Sequence, residues 1–410
     1  MIYTKPNYYD EFNCIADRCP DTCCAGWQIV IDEESLEHYE VEQSEYKKVL
    51  AASIDWREGV FKQKHNKRCA FLNERNLCEM YLNLGEDSLC ETCTRYPRHM
   101  EEFENVREYT LSVSCPEVAR LLVQLKESVS FLYEEDDEEE EFEEYNPFLF
   151  SILEDGRELI RRILQNRKID ISVRAEMVWK LVDEMQSYLD EDEMFACQEL
   201  FEQYEKQLMC KESVQDNVEG TNTEYWREKE RKNNVMHNDA EKYYAFAQDA
   251  FRKLYSLERL SEDWEFYLLD VEKVLYQNGA EDYLKLKTDF QEWLIKQDER
   301  MQFQYSEQAE VQENDVFCMQ RWTIIAEQLL VYFIYTYFCG AVYDYAPAAK
   351  ARMSILSVHY IYELLLVKWL KKDKTLNVED VIFIVYRYSR ELEHSDENLD
   401  LMEEMMEDIV

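Results

Sequence analysis

Cysteine is the residue whose number and spacing most clearly indicate chemistry in this chain. Nine of the 13 cysteines fall within the first 115 residues. Four of them lie in FNCIADRCPDTCCAGW, where Pro20 and Gly26 favour a loop that can turn several thiolates toward one point. Two others form a CxxC pair, whose spacing lets both sulfurs reach one metal ion. The nine are Cys14, Cys19, Cys23, Cys24, Cys69, Cys78, Cys90, Cys93 and Cys115.

Three interpretations compete for these thiols. A disulfide framework is typical of small secreted domains, but nine is an odd number, and the adjacent Cys23 and Cys24 cannot both pair without unusual geometry. Buried, inert cysteines are the second interpretation, which we favour for the four outside the cluster. For the clustered nine we favour metal ligation, and spacing leaves zinc and an iron-sulfur cluster open because both accept four thiolates. The four outside the cluster are Cys197, Cys210, Cys318 and Cys339.

Single residues exclude several other motifs. The radical-cofactor pattern CxxxCxxC would require a third cysteine after Cys19 and Cys23, at the position of Gly26. A partial zinc-deaminase pattern begins at His38, but Leu89 stands where the proline before CxxC is required. We therefore do not favour either chemistry.

Glycine loops are excluded by the wide spacing of the 7 glycines. The nearest two are Gly59 and Gly85, so no GxGxxG loop, P-loop or GxSxG elbow exists. No HExxH occurs, and we expect each of the scattered histidines to be an ordinary surface or core residue. His99, beside the second group of cysteines, is the best candidate among them for a ligand. The six are His38, His65, His99, His237, His359 and His394.

The last of the nine cysteines is predicted to begin a helix. In SCPEVARLLVQL, Ser114 and Glu117 have capping-box spacing, and Pro116 falls in the first helical turn. Cys115 is then expected at a helix N-terminus, where the helix dipole favours its thiolate.

The elements that must position these residues are predicted to be mainly α-helical. Only 7 glycines and 6 prolines indicate long helices with few tight turns. Apolar residues recur at helical spacing within 178–189, 251–269 and 355–370, and 322–333 is apolar nearly all round, as in a buried helix.

Two polar stretches suggest where domains divide. Residues 134–144 are almost all acidic and 211–240 are polar, which predicts a linker and a loop. The predicted organisation is a cysteine-rich metal-binding module in 1–133, an acidic linker in 134–146, and a larger helical domain in 147–410 with a polar loop near 211–240.

Charge and hydropathy limit the classes of partner that the protein can bind. The formal net charge of −42 repels phosphate backbones, so no nucleic-acid partner is expected, while a lysine-rich protein is compatible. Acidity that only maintains solubility is the alternative. The uncharged run 328–343 is shorter than a membrane span, so we predict a buried helix and no membrane contact. The start of the chain does not read as an export signal, which predicts a cytoplasmic protein.

Three segments together resemble the flagellin lysine-N-methylase family. They are CIADRCPDTCCAGWQIVID, CAFLNERNLCEMYLNLGEDSLCETCTRYPR and SCPEVARLL, within residues 8–122. All nine clustered cysteines stand where the family has cysteine, and Trp27, Tyr96, Pro97 and Arg98 also match. The resemblance implies a cytoplasmic protein that holds a [4Fe-4S] cluster and transfers methyl groups from S-adenosylmethionine to lysine side chains of flagellin.

Two classes of function follow. The leading hypothesis is a protein-lysine methyltransferase, and the alternative is a non-catalytic metal or redox carrier, or an interaction protein with a structural zinc. Methyl transfer requires a neutral lysine aligned with the methyl carbon, and aromatic rings could hold the sulfonium of the donor. The sequence identifies neither a catalytic base nor the residues that bind the donor.

Overall fold

The protein is mainly α-helical, as the sequence predicts. The structure, a computed structural model, describes residues 1–65, 67–103, 105–137, 145–215, 236–306, 316–407 and 409. The helices of the N-terminal third are α1 (Glu33–Val41), α2 (Lys47–Ser53), α3 (Glu79–Leu84), α4 (Glu91–Arg95) and α5 (Pro116–Gln124). The later helices are α6 (Pro147–Leu164), α7 (Ile171–Asp190), α8 (Ala196–Gln215), α9 (Met236–Lys253), α10 (Trp264–Leu275), α11 (Ala280–Ser306), α12 (Met319–Tyr337), α13 (Ala341–Asp344), α14 (Pro347–Lys371), α15 (Val378–Glu393) and α16 (Asp396–Glu407).

A small sheet joins the ends of the N-terminal third. Its order is β4-β5-β1-β6, with β1 (Ile2–Pro6) parallel to β5 (Val106–Leu111) and antiparallel to β6 (Phe131–Glu135). The β4 strand (Arg98–Phe103) forms an antiparallel hairpin with β5. A separate two-stranded ribbon pairs β2 (Ile54–Asp55) with β3 (Val60–Phe61). The sheet therefore pairs β1, which precedes the cysteine-rich region, with β6, which follows it.

Buried apolar side chains form two cores. The small core comprises buried residues between Ile29 and Cys90 and includes Cys69. The large core comprises the later helices together with the sheet and α5. The division predicted at 133/134 stays a prediction, but it falls within β6, and the rest of the sheet and α5, which lie before it, pack with the later helices.

The predicted helices are found with one interruption. Helices α7, α12 and α14 cover the periodic stretches predicted around 178–189, 322–333 and 355–370. The stripe 251–269 is instead split between α9 and α10. Between them the Glu391 carboxylate accepts the backbone N–H groups of Leu260 and Ser261, which gives these groups partners outside a helix.

The two polar stretches fall largely outside the described residues. The first overlaps the end of β6, which includes Glu134 and Glu135, while 138–144 are not described. The second is bounded by α8, which reaches Gln215, and α9, which begins at Met236; residues 216–235 between them are not described.

Two long apolar segments pass a length and composition test for crossing a membrane. They are Met319–Asp344 and Pro347–Lys371, and 83% and 78% of their apolar windows are buried inside the protein. The run 328–343, predicted as a buried helix, lies in the first of them. Protein side chains cover most of both segments, as in core helices of a folded domain.

Candidate functional site

Five of the nine clustered cysteines form an inner thiol group against the small core. They are Cys24, Cys69, Cys78, Cys90 and Cys93. The backbone holds two of them together, because Cys69 N–H donates to the Cys24 carbonyl at 2.8 Å. Burial raises the pKa of Cys69 to about 12, and the charges of Cys24 and Cys78 add to this shift. Such mutual influence requires that the sulfurs lie near one another.

The other four form an outer thiol group, of which Cys115 belongs to the large core: Cys14, Cys19, Cys23 and Cys115. Cys14 is exposed, while Cys115 is buried. The pKa of Cys19 rises chiefly through burial, with Cys14 among the charged neighbours, and Cys115 in turn responds to Cys19. Cys23 hydrogen-bonds to Cys24, so the two groups meet at this adjacent pair.

Hydrogen bonds between thiols favour one thiolate in each close pair. The Cys93 thiol lowers the pKa of Cys90, and the Cys23 thiol lowers that of Cys24. Cys90 is also the N-cap of α4, and Cys78 is the N-cap of α3, so both lie at the positive ends of helix dipoles. Metal ligation requires thiolates, and the surroundings of Cys90 favour one, whereas burial raises the pKa of Cys78.

The structure corrects the prediction for Cys115. It is the N-cap of α5, with Pro116 following, but burial raises the pKa of its thiol to about 11 and outweighs the amides of Glu117 and Val118. The predicted capping box is absent, because the N-cap is Cys115 and not Ser114. The Ser114 hydroxyl instead hydrogen-bonds to other side chains.

The thiols are clustered but not arranged as ligands. Among the residues that the structure describes, no three cysteine, histidine, aspartate or glutamate side chains are placed to hold one metal ion. His99 pairs with Glu101 at 2.6 Å on the exposed β4 strand. The assignment of the nine cysteines as metal ligands therefore stays a prediction, supported by their grouping and by the thiol-rich donor set.

Arg390 of α15 holds the first cysteine loop against the helical domain. Its guanidinium lies 2.8 Å from an Asp21 carboxylate oxygen and donates to the carbonyls of Asp21 and Ser114, both at 2.9 Å. Asp21 and Thr22, whose carbonyl also accepts from Arg390, lie between Cys19 and Cys23. The arginine side chain is 8% exposed, so this contact joins the outer thiol group to α15 within the protein interior.

Three rings form an aromatic wall beside this junction. The Trp27 ring lies 4.7 Å from that of His394 and 5.9 Å from that of Tyr96, and the last two are 5.6 Å apart. All three residues are partly exposed. Burial and the charge of Arg390 lower the pKa of His394 to about 3, which keeps the imidazole neutral near pH 7. Trp27 and Tyr96 are among the residues that the family resemblance singles out.

A carboxylate with one unpartnered oxygen among the described residues adjoins the aromatic wall. Glu393, the last residue of α15, accepts hydrogen bonds through Oε2 from Ser112 and, at 3.1 Å, from the Tyr332 hydroxyl. Its Oε1 atom is buried without a hydrogen-bond partner among the described residues, although the residue as a whole is partly exposed. Burial raises the pKa of Glu393 to about 7.

Serine hydroxyls connect Glu393 to the aromatic wall. Ser112 Oγ lies 2.5 Å from Ser114 Oγ, which lies 2.9 Å from His394 Nε2 and 3.0 Å from the Tyr96 hydroxyl. The chain of hydrogen bonds gives a proton on Glu393 a route toward the partly exposed wall. Carboxylate, aromatic faces and proton route together suit the binding and deprotonation of an amine.

Sequence reasoning did not find Glu393, and it treated His394 as an ordinary residue. A weak signal was present in YRYSRELEH, where Tyr386, Arg390 and Glu393 are spaced to share one face of a helix whose other positions are largely apolar. Charged residues on a buried helix face need partners, which indicates a polar junction. Their contacts with Asp21, Ser112 and Ser114 are set by the fold and are not encoded locally.

Comparisons with known proteins support the lysine N-methylase family through the later helices, and they do not test the cysteine-rich module. The model for the FliB lysine N-methylase C-terminal domain matches residues 157–409, which include Arg390, Glu393 and His394. The flagellar biosynthetic protein FliU of Salmonella muenchen is 27% identical over 130 residues, which are 29% of this chain and 75% of the relative. The lysine-N-methylases of Salmonella typhimurium and Salmonella choleraesuis are each 28% identical over 130 residues, 29% of this chain and 31% of each relative. The chain therefore spans less than a third of these two methylases. No solved structure matches it.

Proposed function

We propose, because the chain belongs to the FliB lysine N-methylase family, that it transfers methyl groups from S-adenosylmethionine to lysine side chains of flagellin or a similar protein. The observation that carries this proposal is Glu393, a carboxylate with a buried, unpartnered oxygen beside the aromatic wall, inside the region that the family shares. Family membership does not favour the alternative of a non-catalytic metal or redox carrier.

Glu393 is the proposed recognition and base residue. The ammonium of a substrate lysine would donate to the free Oε1 atom and compensate the cost of burying the carboxylate. A lysine must lose a proton before its nitrogen can attack the methyl carbon, and a base with a pKa of about 7 is suited to take it at neutral pH. The proton then passes through Ser112 and Ser114 toward His394.

The aromatic wall is the proposed contact for the methyl donor. A sulfonium is a cation that cannot donate hydrogen bonds. The faces of aromatic rings therefore suit it better than carboxylates do. Trp27, Tyr96 and the neutral His394 present three such faces within 6 Å of one another. Placing donor and lysine on adjoining surfaces supplies the alignment that the transfer requires.

The inner thiol group is the proposed site of an iron-sulfur cluster or zinc. Cys24, Cys69, Cys78, Cys90 and Cys93 offer the four thiolates that either requires. A bound metal centre would offset part of the negative charge of the thiolates and fix the small core in place. The outer thiol group, with the exposed Cys14, would serve structure or hold a second ion.

The proposed partner is a protein with exposed lysines, met in the cytoplasm. The net charge of −42 attracts basic segments and does not favour nucleic acid. One relative is named a flagellar biosynthetic protein, which supports a flagellar substrate. We propose no membrane partner, since the two apolar segments are mostly covered by protein.

The test is anaerobic incubation of the purified chain with S-adenosylmethionine and flagellin, followed by mass spectrometry of the acceptor. We expect mass steps of one methylene on acceptor lysines. The Glu393→Gln variant should lose the steps, whereas Glu404→Gln, which changes an exposed carboxylate on α16, should keep them. Absence of transfer to flagellin and to other lysine-rich acceptors, in protein that contains metal, would instead favour the carrier function.

Metal content is measured on the same samples. We expect iron and acid-labile sulfide, or zinc, in the parent chain and a loss of most of it in Cys90→Ser, Cys93→Ser protein. Cys197→Ser is the matched control, because Cys197 is buried in the large core and belongs to neither thiol group. Equal metal content in all three proteins would contradict the assignment of the inner thiol group.

A further inference from the structure

A pocket opens on the small sheet, on the face that points away from the later helices. Side chains alternate along a strand, and Thr4 of β1 and Glu108 of β5 contact residues of α12 and α6. Their strand neighbours Tyr3 and Tyr109 therefore point to the opposite face, where they line a cavity of about 380 Å³. This volume falls within the range of ligand pockets.

Three tyrosine rings form the aromatic part of this cavity, here named the sheet pocket. The rings of Tyr3 and Tyr109 lie nearly parallel with centroids 6.3 Å apart, and the Tyr9 ring meets that of Tyr109 edge-on at 5.8 Å. All three residues are partly exposed, and Leu132 of β6 adds aliphatic surface. Ring faces attract cations, and aliphatic surface suits the stem of a lysine or arginine.

Carboxylates outnumber cations at the sheet pocket. Glu134, Glu135 and Asp136 line it, all at the start of the acidic stretch identified in the sequence. The ammonium of Lys5, also in the lining, lies 2.9 Å from Asp10 and 3.7 Å from Glu134. The N-terminal ammonium lies 3.6 Å from Asp136. Two cations thus face four carboxylates, so the sheet pocket keeps a negative potential that attracts a further cation.

The sheet pocket lies close to Glu393. Tyr9 follows Tyr8, whose pKa is raised by burial and, second, by the charge of Glu393. Tyr109 stands three residues before Ser112, which donates to Glu393. Three residues of extended chain span about 10 Å. One short extended segment of an acceptor protein can therefore reach both sites.

We propose that the sheet pocket binds a second cationic side chain of the acceptor protein, close in sequence to the lysine that is methylated. This inference rests on the proposed function, which places the acceptor lysine at Glu393. The second ammonium or guanidinium lies against the tyrosine faces and pairs with Glu134 and Glu135, while its stem packs on Leu132. The protein then prefers lysines that lie in basic segments.

The experiment measures methylation of short synthetic peptides by the full chain with S-adenosylmethionine. One peptide carries a single lysine among alanine and serine, and the others add one arginine at successive positions on either side. Arginine supplies a cation without a second acceptor amine. We expect an arginine about three residues from the lysine to lower KM about tenfold with kcat unchanged, as for one cation–π contact and two exposed ion pairs.

A charge-matched pair of variants tests the carboxylates. The double variant Glu134→Gln, Glu135→Gln should remove most of the advantage that arginine gives. The double variant Glu397→Gln, Glu404→Gln removes two exposed carboxylates of α16 and should keep that advantage. The comparison separates the sheet pocket from the general negative charge of the protein.

A second pair of variants tests the ring faces. Tyr109→Leu keeps an apolar side chain but removes the central ring, and it should reduce the advantage of arginine about threefold. Tyr133→Leu is the control, because Tyr133 pairs with Thr4 in the sheet and so lies on the opposite face. It should leave all KM values unchanged.

Equal KM values with and without arginine, or an advantage that persists in Glu134→Gln, Glu135→Gln protein, would overturn the inference while methylation of the peptides upholds the proposed function. If neither the peptides nor flagellin is methylated, the proposed function fails, and fluorescence anisotropy of the same peptides then decides on the sheet pocket. Arginine-dependent binding that the double variant loses would support the pocket, and binding that does not depend on arginine would overturn it.

Discussion

Glu393 illustrates how the environment of one residue can set its chemistry. An exposed glutamate near pH 7 is charged and too weak a base to take a proton from an ammonium. Here Ser112 and Tyr332 donate hydrogen bonds to one carboxylate oxygen, while the other is buried without a partner among the described residues. The carboxylate therefore gains most from a cationic ligand, and its raised pKa matches the task of accepting a proton.

Replacing Glu393 by glutamine should remove methyl transfer with little effect on the fold. The amide keeps the shape and can still bond to Ser112 and Tyr332, but it neither attracts the ammonium nor accepts its proton. We expect a fall in the transfer rate of about 10²- to 10⁴-fold, the range associated with loss of a general base. Steady-state kinetics with a flagellin acceptor and a far-ultraviolet circular dichroism spectrum check both parts. A variant of unchanged activity would remove Glu393 from the mechanism.

The same carboxyl should couple folding to pH in a defined direction. The folded-state pKa of about 7 lies above the ordinary carboxyl value of 4.5. The folded protein therefore binds this proton more tightly than the unfolded chain. The stability that Glu393 contributes is fully present below about pH 4.5 and is lost as the pH rises through 7.

Melting temperatures of the parent and Glu393→Gln proteins from about pH 3.5 to about pH 8 test this coupling. The parent should lose stability relative to the variant as the pH rises, by no more than about 3 kcal/mol. Below pH 4.5 the difference between the two proteins should no longer change with pH. Parallel curves across the whole range would show that this carboxyl has an ordinary pKa in the folded state.

Trp27 is the aromatic residue whose loss should affect donor binding most. It contacts both other members of the aromatic wall, and its indole N–H donates to the Cys23 carbonyl at 2.7 Å. Trp27→Ala should raise the Kd for S-adenosylmethionine about tenfold, as expected for one lost cation–π contact. Trp27→Phe should restore most of the affinity, which separates a lost ring face from a lost hydrogen bond. Isothermal titration measures both variants, and unchanged affinity in Trp27→Ala would place the donor elsewhere.

At the scale of elements, α15 connects the candidate site to the first cysteine loop. Arg390 binds the loop, and Glu393 lies nearly one helical turn later at the end of the same helix. One rotation or shift of α15 would therefore alter both the base and the outer thiol group. The capping box at the other end, between Asn377 and Asp380, fixes where the helix begins.

Replacement of Arg390 by methionine tests this connection. Methionine keeps much of the apolar stem but leaves three backbone carbonyls without their guanidinium partner and leaves Asp21 with Arg387 alone. We expect a loss of about 3 kcal/mol in stability, as for one partner removed from a buried ion pair. Lys67→Met, which removes a cation from an exposed contact with the Arg259 carbonyl, is the control and should change stability by less than about 0.5 kcal/mol. Denaturant unfolding measures the difference. Equal stabilities of the parent and Arg390→Met proteins would argue against a stabilising role for the Arg390 contacts.

The helices were predictable because their signal is local. Apolar spacing alone placed α7, α12 and α14, and the Cys-Pro dipeptide placed the start of α5. Local spacing did not show that 257–263 interrupts a helical stripe, because the reason is a distant carboxylate, Glu391, that binds this backbone. The charge state of Cys115 was mispredicted for a related reason, since its burial arises from packing that the sequence pattern does not contain.

Of the candidate site, only the cysteine thiols were predictable from the sequence. Nine cysteines in three short segments indicated that thiols converge, and the structure groups them. The separation into inner and outer groups depends on long-range backbone contacts, such as that between Cys24 and Cys69. The aromatic wall joins Trp27 to His394, and Glu393 accepts a hydrogen bond from Ser112, which lies 281 positions earlier. Periodicity within a segment carries no information on such pairs.

At the scale of the whole molecule, the two cores are stabilised in different ways. The large core contains long helices and many fully buried side chains and can support itself by apolar burial. The small core contains few buried residues, and its cysteines occupy interior positions where larger apolar side chains would otherwise pack. Small cores of this kind commonly depend on a metal for stability.

Metal removal should therefore loosen the small core and leave the large core folded. In hydrogen exchange, amides between Ile29 and Cys93 should lose protection when a chelator strips the protein, and the Cys90→Ser, Cys93→Ser variant should show the same loss without treatment. Amides of α12 and α14 should keep their protection in both samples, because no cysteine of either thiol group lies in these helices. Cys197→Ser protein, which keeps the metal, should match the parent throughout. Equal loss of protection in α14 and in the small core would instead mean that the contacts of Arg390 make the two cores one cooperative unit. The metal would then stabilise the candidate site as well as the module that binds it.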